Sequence, residues 1–289
     1  MNTVGLDASK PSHPGTVSLA SVTPSPRAES VAWPDFEGRW SRVQAVFLAD
    51  LHLGAELGPR HFAFRDFLAR LSQLPQKPEV YVLGDLFDYW MGQSSEKVDG
   101  NRFALLCLGR AVASGLRVGF LPGNRDFFAV SDLLERKYGI AMLGKKADLR
   151  LGSYRVLATH GDLHVLGDRS HLRLSWILRS ACTRYLANRL PLGFLNGIGR
   201  RMRRHSRGKK RPSDFASASV DIPPGEVARL LRGGYDVLIV GHMHRAVRRS
   251  IDLDERRGTY FTLGAWENEA SVLAFDGEKF EFRSFSFPN

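Results

Sequence analysis

The sequence predicts an α/β domain whose functional groups gather at one end of a sheet. Two observations carry this. Short apolar runs of strand length recur from Val43 onward, with amphipathic helical patterns between them. Each run ends at a polar cluster of Asp, His or Asn, and the carboxyl ends of strands are where open α/β sheets present their sites.

The elements follow in order. Residues 1–38 carry Pro11, Pro14, Pro24, Pro26 and Pro34 among Ser, Thr and Gly, with no apolar periodicity. Such a composition cannot offset the entropy of ordering, and it lacks the continuous apolar run of a signal peptide. We expect a disordered extension over 1–38 and one domain over 39–289. The strands are Val43–Ala49 before Asp50, Val80–Leu83 before Gly84-Asp85, and Val118–Leu121 before Gly123-Asn124. Two more are Val156–Thr159 before His160 and Val237–Val240 before Gly241-His242. Arg60–Leu74 places Phe64, Phe67, Leu68 and Leu71 on one helical face, and Arg102–Ser114 does the same with Leu105, Leu106 and Leu108. Gly225–Leu231 starts a helix after Pro223-Pro224. Near the end, Tyr260–Leu263, Ser271–Phe275 and Lys279–Phe285 have the pattern of successive antiparallel strands, with Asp276-Gly277 turning the last hairpin.

Residues 163–212 interrupt this scheme as a helical insert. Arg169–Leu190 carries Leu174, Leu178, Cys182, Tyr185 and Leu186 on an apolar face. Pro191 to Gly193 break it before a second helix, Phe194–Ser206. The charge of the chain resides here. Of the 41 Lys and Arg residues, 13 fall between Arg169 and Arg211 with no acid among them, leaving 28 against 30 acids elsewhere. A local strip of that kind is built to meet an anion: nucleic acid, a phosphorylated ligand or an anionic lipid surface. Cys107 and Cys182 have no C-x-x-C neighbour, which excludes a disulfide scaffold, a thiolate zinc site and an iron–sulfur cluster. No apolar run is long enough to span a bilayer. Trp33, Trp40 and Trp176 are expected to pack.

The strand ends deliver Asp50-Leu51-His52, Gly84-Asp85, Gly123-Asn124-Arg125-Asp126, His160-Gly161-Asp162 and Gly241-His242-Met243-His244. Each alone is weak; five in succession form the donor set of two adjacent divalent cations, which need a bridging carboxylate and several oxygen and nitrogen ligands each. Asp85 is the expected bridge. Asp50, His52 and His244 would complete one metal, and Asn124, His160 and His242 the other. Oxygen and nitrogen donors without thiolate favour Mn²⁺, with magnesium, zinc or iron also compatible. Glycines beside Asp85, Asn124, His160 and His242 are expected to turn the backbone so that these side chains converge. The other histidines, His13, His61, His164, His171 and His205, have no ligand spacing.

This series of corners resembles the calcineurin-like metallophosphoesterase superfamily over about residues 43–265. Within it the chain is most similar to the UDP-2,3-diacylglucosamine hydrolases of the lipid A pathway. That similarity is carried by Gly-Asn-Arg-Asp-Phe at 123–127, Gly-Asp-Leu-Phe-Asp-Tyr-Trp at 84–90, Arg-Met-Arg at 201–203 inside the insert, and Leu-Gly-Ala-Trp at 263–266. The resemblance implies two mixed β-sheets flanked by helices, with the insert as a cap. It implies hydrolysis of the pyrophosphate of a UDP-linked, doubly acylated glucosamine to UMP and the sugar 1-phosphate, with the uridine-side phosphorus attacked. It implies Asp168 and Ser206 at the sugar and Lys209 or Lys210, here taken as Lys210, at a further polar contact, with Asn124, Arg125 and His242 also touching substrate.

The residues agree with that chemistry. Arg125 can offer a guanidinium fork to phosphate oxygens. The insert sets Leu174, Trp176, Ile177, Leu178, Leu186, Phe194, Leu195 and Ile198 beside dense arginine, a composition suited to acyl chains and to an anionic membrane surface. The expected location is therefore cytoplasmic, peripheral on the inner membrane. A metal-dependent phosphodiesterase or nuclease is the alternative, since a basic strip binds backbone phosphate. The strip is interleaved with aliphatic rather than stacking aromatic side chains, so no nucleic-acid partner is expected. A binding scaffold with a dead site would lack ligands, and none is lacking.

Overall fold

The computed structural model describes residues 36–90, 92–126, 131–164, 222–254, 256–267 and 269–287. Nearly all of the expected extension and of the insert lie outside the described residues, Asp168, Ser206 and Lys210 among them. So do both helices expected in the insert, together with Trp33, Trp176 and Cys182.

Two mixed sheets face each other. The first holds β1 (Ala45–Leu48), β2 (Glu79–Val82), β3 (Arg117–Phe120), β4 (Ala141–Met142), β10 (Glu269–Phe275) and β11 (Phe280–Ser286), in the order β11-β10-β1-β2-β3-β4. β1 to β4 run parallel, and β10 and β11 are antiparallel additions on the β1 side. The second holds β5 (Lys146–Leu151), β6 (Tyr154–Thr159), β7 (Val237–Val240), β8 (Val247–Leu253) and β9 (Arg256–Thr262), in the order β5-β6-β7-β9-β8. Here β6, β7 and β9 are parallel, and β5 and β8 are antiparallel edges.

The period of two along each strand builds the layers. In β1, Ala45 and Phe47 face the second sheet, whereas Val46 and Leu48 face the helical layer. Between the sheets lie Phe47, Tyr81, Leu149, Val156, Ile239, Phe261 and Phe275. On the outer face of the first sheet, α2 (Pro59–Gln73) buries Phe64, Phe67, Leu68 and Leu71, the four residues its periodicity singled out. α3 (Asp99–Ala113) buries Leu105 and Leu108 there, with Leu106 only partly buried. α4 (Ser131–Tyr138) completes that side through Leu134 and Tyr138. α5 (Pro224–Leu231) covers the second sheet through Val227 and Leu231. Among the described residues no helix is long and apolar enough to cross a membrane.

The structure departs from expectation in three places. Residues 260–263 do not continue into the C-terminal meander: β9 lies in the second sheet between β7 and β8, and only β10 and β11 form a hairpin. The hairpin loop is held by an Asx turn at Asp276, whose Oδ1 accepts from the backbone N–H of Glu278 (3.0 Å) and Lys279 (2.9 Å). Strands β5 and β8 lie beyond the expected set: their sequences, KADLRL and VRRSIDL, carry the charges of exposed sheet edges. Finally, packed structure begins inside the segment 1–38. The short helix α1 (Phe36–Trp40) buries Phe36 and Trp40, their rings stacked 5.1 Å apart and edge-on to Phe67.

Candidate metal centre

The five polar corners meet at the carboxyl ends of the parallel strands of both sheets. Backbone hydrogen bonds strap the first two corners together beyond the end of the β1–β2 ladder. Asp50 N–H donates to Gly84 O (3.1 Å), His52 N–H to Asp85 O (3.0 Å) and Leu53 N–H to Leu86 O (2.9 Å). From the second sheet, His242 N–H donates to Asp50 Oδ2 (2.7 Å), and His160 Nδ1–H donates to Leu83 O (2.8 Å). Trp266, buried, donates its backbone N–H to Asp50 O (3.2 Å) and its indole N–H to Ser271 O (3.0 Å).

The corners are strained. Asp50, His52, Asp85, His242 and His244 have φ of 55°, 46°, 51°, 67° and 57°, and they are all the non-glycine residues with positive φ among the described residues. Each such conformation costs about 1–3 kcal/mol and persists only where surrounding contacts enforce it. That all five are expected ligands ties the strain to the site. The glycines divide in role. Gly84 and Gly161 take positive φ as expected, whereas Gly123 and Gly241 serve close packing: a Cβ on Gly123 would sit 2.3 Å from Asp85 Oδ1.

All seven expected ligands converge. His52 Nε2 and His244 Nε2 stand 3.1 Å apart, and Asp50 Oδ1 lies 3.5 Å from the latter. Asp50, His52 and His244 form one group whose donor atoms lie within 4.8 Å of one another; Asp50, Asp85 and His160 form a second. Asp50 is thus common to both groups, a sharing that the expectation gave to Asp85 alone. Asn124 Oδ1 is 3.0 Å from His160 Nε2, and the His242 ring centroid is 5.2 Å from that of His160.

This donor set fits a divalent cation on two observations. Asp50 Oδ1 is buried with no hydrogen-bond partner, a costly state for an anionic oxygen unless a cation meets it. His160 Nδ1 faces a carbonyl and so carries a proton, leaving the neutral ring's Nε2 as an acceptor opposite Asn124 Oδ1. A proton or a metal cation between those two atoms relieves the opposition.

The titration behaviour without metal follows from burial and mutual charge. Burial disfavours a charged His160, but Asp85, Asp50 and Asp162 outweigh it and lift the ring to about 9. Burial, with Arg125 and the other rings, pushes His52 down to about 2, and burial with His160 pushes His242 down to about 4. Burial raises the Asp85 carboxyl, with Asp126 and Asp50 adding to the rise. Asp50 goes the other way: burial opposes, yet the surrounding His244, His160 and His52 rings hold it at about 2. His52 and His242 are thus neutral and Asp50 ionised, the state a metal binds, whereas a metal at His160 would displace the proton that Asp85 and Asp50 hold on its ring.

A family model described as calcineurin-like phosphoesterase matches residues 44–246. The chain belongs to the calcineurin-like phosphoesterase family. The phosphoesterase is 32% identical over 237 residues to the UDP-2,3-diacylglucosamine hydrolase of Pseudomonas aeruginosa (strain UCBPP-PA14), covering 81% of this chain and 95% of that one. It is 30% identical over 244 residues to the UDP-2,3-diacylglucosamine hydrolase of Pseudomonas savastanoi pv. phaseolicola, covering 84% and 96%. Among solved structures, a novel archaeal phosphodiesterase is similar at 13% identity and a TM-score of 0.43, covering 84% of this chain and 99% of that one. The phosphoesterase is a metal-dependent hydrolase.

Sequence reasoning singled out Arg125 but not what holds it. Its Nη1–H donates to Asp88 Oδ1 (3.1 Å), its Nε lies 3.6 Å from Asp85 Oδ2, and its backbone N–H donates to Asp85 Oδ1 (2.8 Å). Asp88 was visible only as a letter within Gly84–Trp90. Asp126 was also missed as a participant. It is fully buried and accepts from Gly123 N–H (2.6 Å), Leu86 N–H (2.8 Å) and Asp85 N–H (3.3 Å). Glu267 Oε1 stands 3.4 Å from His244 Nδ1, on the side of the ring away from Asp50. Of the histidines without ligand spacing, His61 is buried at the start of α2 and His164 pairs with Glu226 at 2.9 Å; neither enters the cluster. His13, His171 and His205 lie outside the described residues.

Proposed function

We propose that this phosphoesterase hydrolyses UDP-2,3-diacylglucosamine to UMP and 2,3-diacylglucosamine 1-phosphate. The observation that supports this most is the convergence of all seven expected ligands in a chain aligned over nearly the whole length of relatives named for that hydrolysis. In this reading Asp50, His52 and His244 hold one divalent ion and Asn124, His160 and His242 the other. Asp85 would contribute to holding both, and Mn²⁺ suits the donors best. Two such ions, when bound, make water acidic enough to ionise near neutral pH and neutralise phosphoryl oxygens.

The chain's own residues do the rest. Arg125, steadied by Asp88, presents its guanidinium to the pyrophosphate oxygens and offsets charge on the departing phosphate. Asn124 and His242 contact the phosphoryl group. Within residues 163–212, the apolar side chains take the acyl chains, Asp168 and Ser206 meet the sugar, and Lys210 adds a polar contact. The basic strip of the same segment rests on anionic lipid at the cytoplasmic face of the inner membrane.

Water adds its oxygen to the uridine-side phosphorus. The bond from that phosphorus to the bridging oxygen breaks, and the oxygen leaves with the sugar 1-phosphate. Turnover of UDP-2,3-diacylglucosamine with Mn²⁺ in ¹⁸O-water is therefore expected to yield labelled UMP and unlabelled sugar 1-phosphate, read by mass spectrometry. Label in the sugar phosphate would reverse the substrate in the site. Absence of UMP, with cleavage of single-stranded DNA, would support the nuclease alternative instead.

Arg125→Ala is expected to keep the metal content of the wild type while kcat falls about 10²–10³-fold, the usual cost of removing one electrostatic donor. Loss of metal in that variant, by elemental analysis, would make Arg125 a structural residue.

A further inference from the structure

We propose that Asp126 is a positioning residue for hydrolysis, clasping the second and third corners so that Asp85 and Asn124 stand at the spacing the metals require. The inference rests on the metal roles proposed for Asp85 and Asn124.

The clasp is reciprocal. The Asp126 carboxylate accepts from Asp85 N–H and Leu86 N–H in the second corner and from Gly123 N–H in its own, at 3.3, 2.8 and 2.6 Å. In return the Asp85 carboxylate accepts from Arg125 N–H in the third corner at 2.8 Å. Both Asp126 oxygens therefore face N–H donors, Oδ1 taking two and Oδ2 one. The residue is fully buried, so water cannot substitute for it.

What the clasp restrains is a strained backbone. Asp85 sits at φ 51°, and its corner packs so closely on Gly123 that a Cβ on Gly84 would lie 2.6 Å from the Gly123 Cα. The hydrogen bonds from Asp85 N–H and Leu86 N–H act directly on that conformation, and the one from Gly123 N–H ties it to the third corner. The Asp126 carboxylate spends these hydrogen bonds on backbone amides and on none of the ligand side chains. Its effect on the reaction passes through the position of Asp85 and Asn124.

Asp126→Asn keeps the size of the side chain but turns an NH₂ group toward at least one of the N–H donors. The expected variant is folded, binds Mn²⁺ at least about tenfold more weakly by calorimetry, and has kcat reduced about 10²-fold with KM changed less than about threefold. A core variant of similar stability loss, Leu108→Ala in α3, should leave Mn²⁺ affinity unchanged. Electron paramagnetic resonance of the Mn²⁺-loaded proteins is expected to show exchange coupling in the wild type and none in the Asp126→Asn variant. Mn²⁺ affinity and kcat within about threefold of wild type would overturn the proposal.

Should the variant fail to fold, the wild-type protein still decides. The amides of Asp85, Leu86 and Gly123 must then exchange among the slowest in the chain, and exchange at the rate of exposed amides overturns the clasp. A wild-type protein that binds no divalent metal would overturn the metal reading itself, which the Asp126→Asn comparison alone would not.

Discussion

Asp85→Ala is expected to give a folded chain that loses divalent metal and turns over at least about 10³-fold more slowly. Asp85 supplies buried oxygens to the second donor group, and one of them also receives the Arg125 N–H that orders the third corner. Its removal therefore takes away a ligand and releases Asn124 together with Arg125. The metal-free fold should not suffer in proportion. Asp85 is buried beside Asp50 and Asp126, and its carboxyl is raised by that burial and by those two carboxylates even though His160 and Arg125 offset part of the charge. Replacing one of them by a small apolar side chain relieves repulsion and desolvation. We expect the metal-free variant to melt no lower than the metal-free wild type, as in other sites where function is held against stability. Elemental analysis and paired thermal melts check both halves. Two ions retained per chain would show that Asp85 holds neither.

Gly123→Ala should be nearly as damaging, for a reason that involves no ligand atom of its own. The new methyl group would lie 2.3 Å from Asp85 Oδ1 and 2.5 Å from Asp85 N. Neither is the far end of a flexible chain, so the second and third corners must separate. Gly123 is not in the left-handed region, so alanine itself tolerates the backbone, and the loss comes from the clash alone. Stability should fall by about 2–3 kcal/mol, and kcat by about 10²-fold or more, as displacements near 1 Å produce. Gly225→Ala at the start of α5 is the control. A Cβ there meets nothing within 4 Å, so stability should hold or rise. Denaturant unfolding with steady-state kinetics on both variants measures the contrast, and a Gly123→Ala enzyme of wild-type activity would show that the corners have slack.

How much of this was legible beforehand depended on the range of each signal. Phe64, Phe67, Leu68 and Leu71 revealed their helix face because helical periodicity acts within two turns. Strands β1, β2, β3, β6 and β7 were visible because both of their faces are buried, which leaves a continuous apolar run. Strands β5 and β8 were not, since an edge strand keeps charge outward and resembles a loop. The assignment of β9 to the second sheet failed for a different reason: strand partners are chosen across the chain, and β9 lies against β7 with no local mark of it.

The same division runs through the site. Which donors exist, and that each follows a strand, could be read from the residues in a line, because strand ends and ligand chemistry are properties of short segments. Closure of the two sheets was needed to bring Asp50 and His244 together, to make Asp50 common to both donor groups, and to hold five of the expected ligands in left-handed backbone. It also gave Asp126 its three donors. A strained conformation and a shared carboxylate are maintained by contacts from other elements: β1 and β2 in one sheet, β6 and β7 in the other. Those contacts form only once the two sheets pack on their common core.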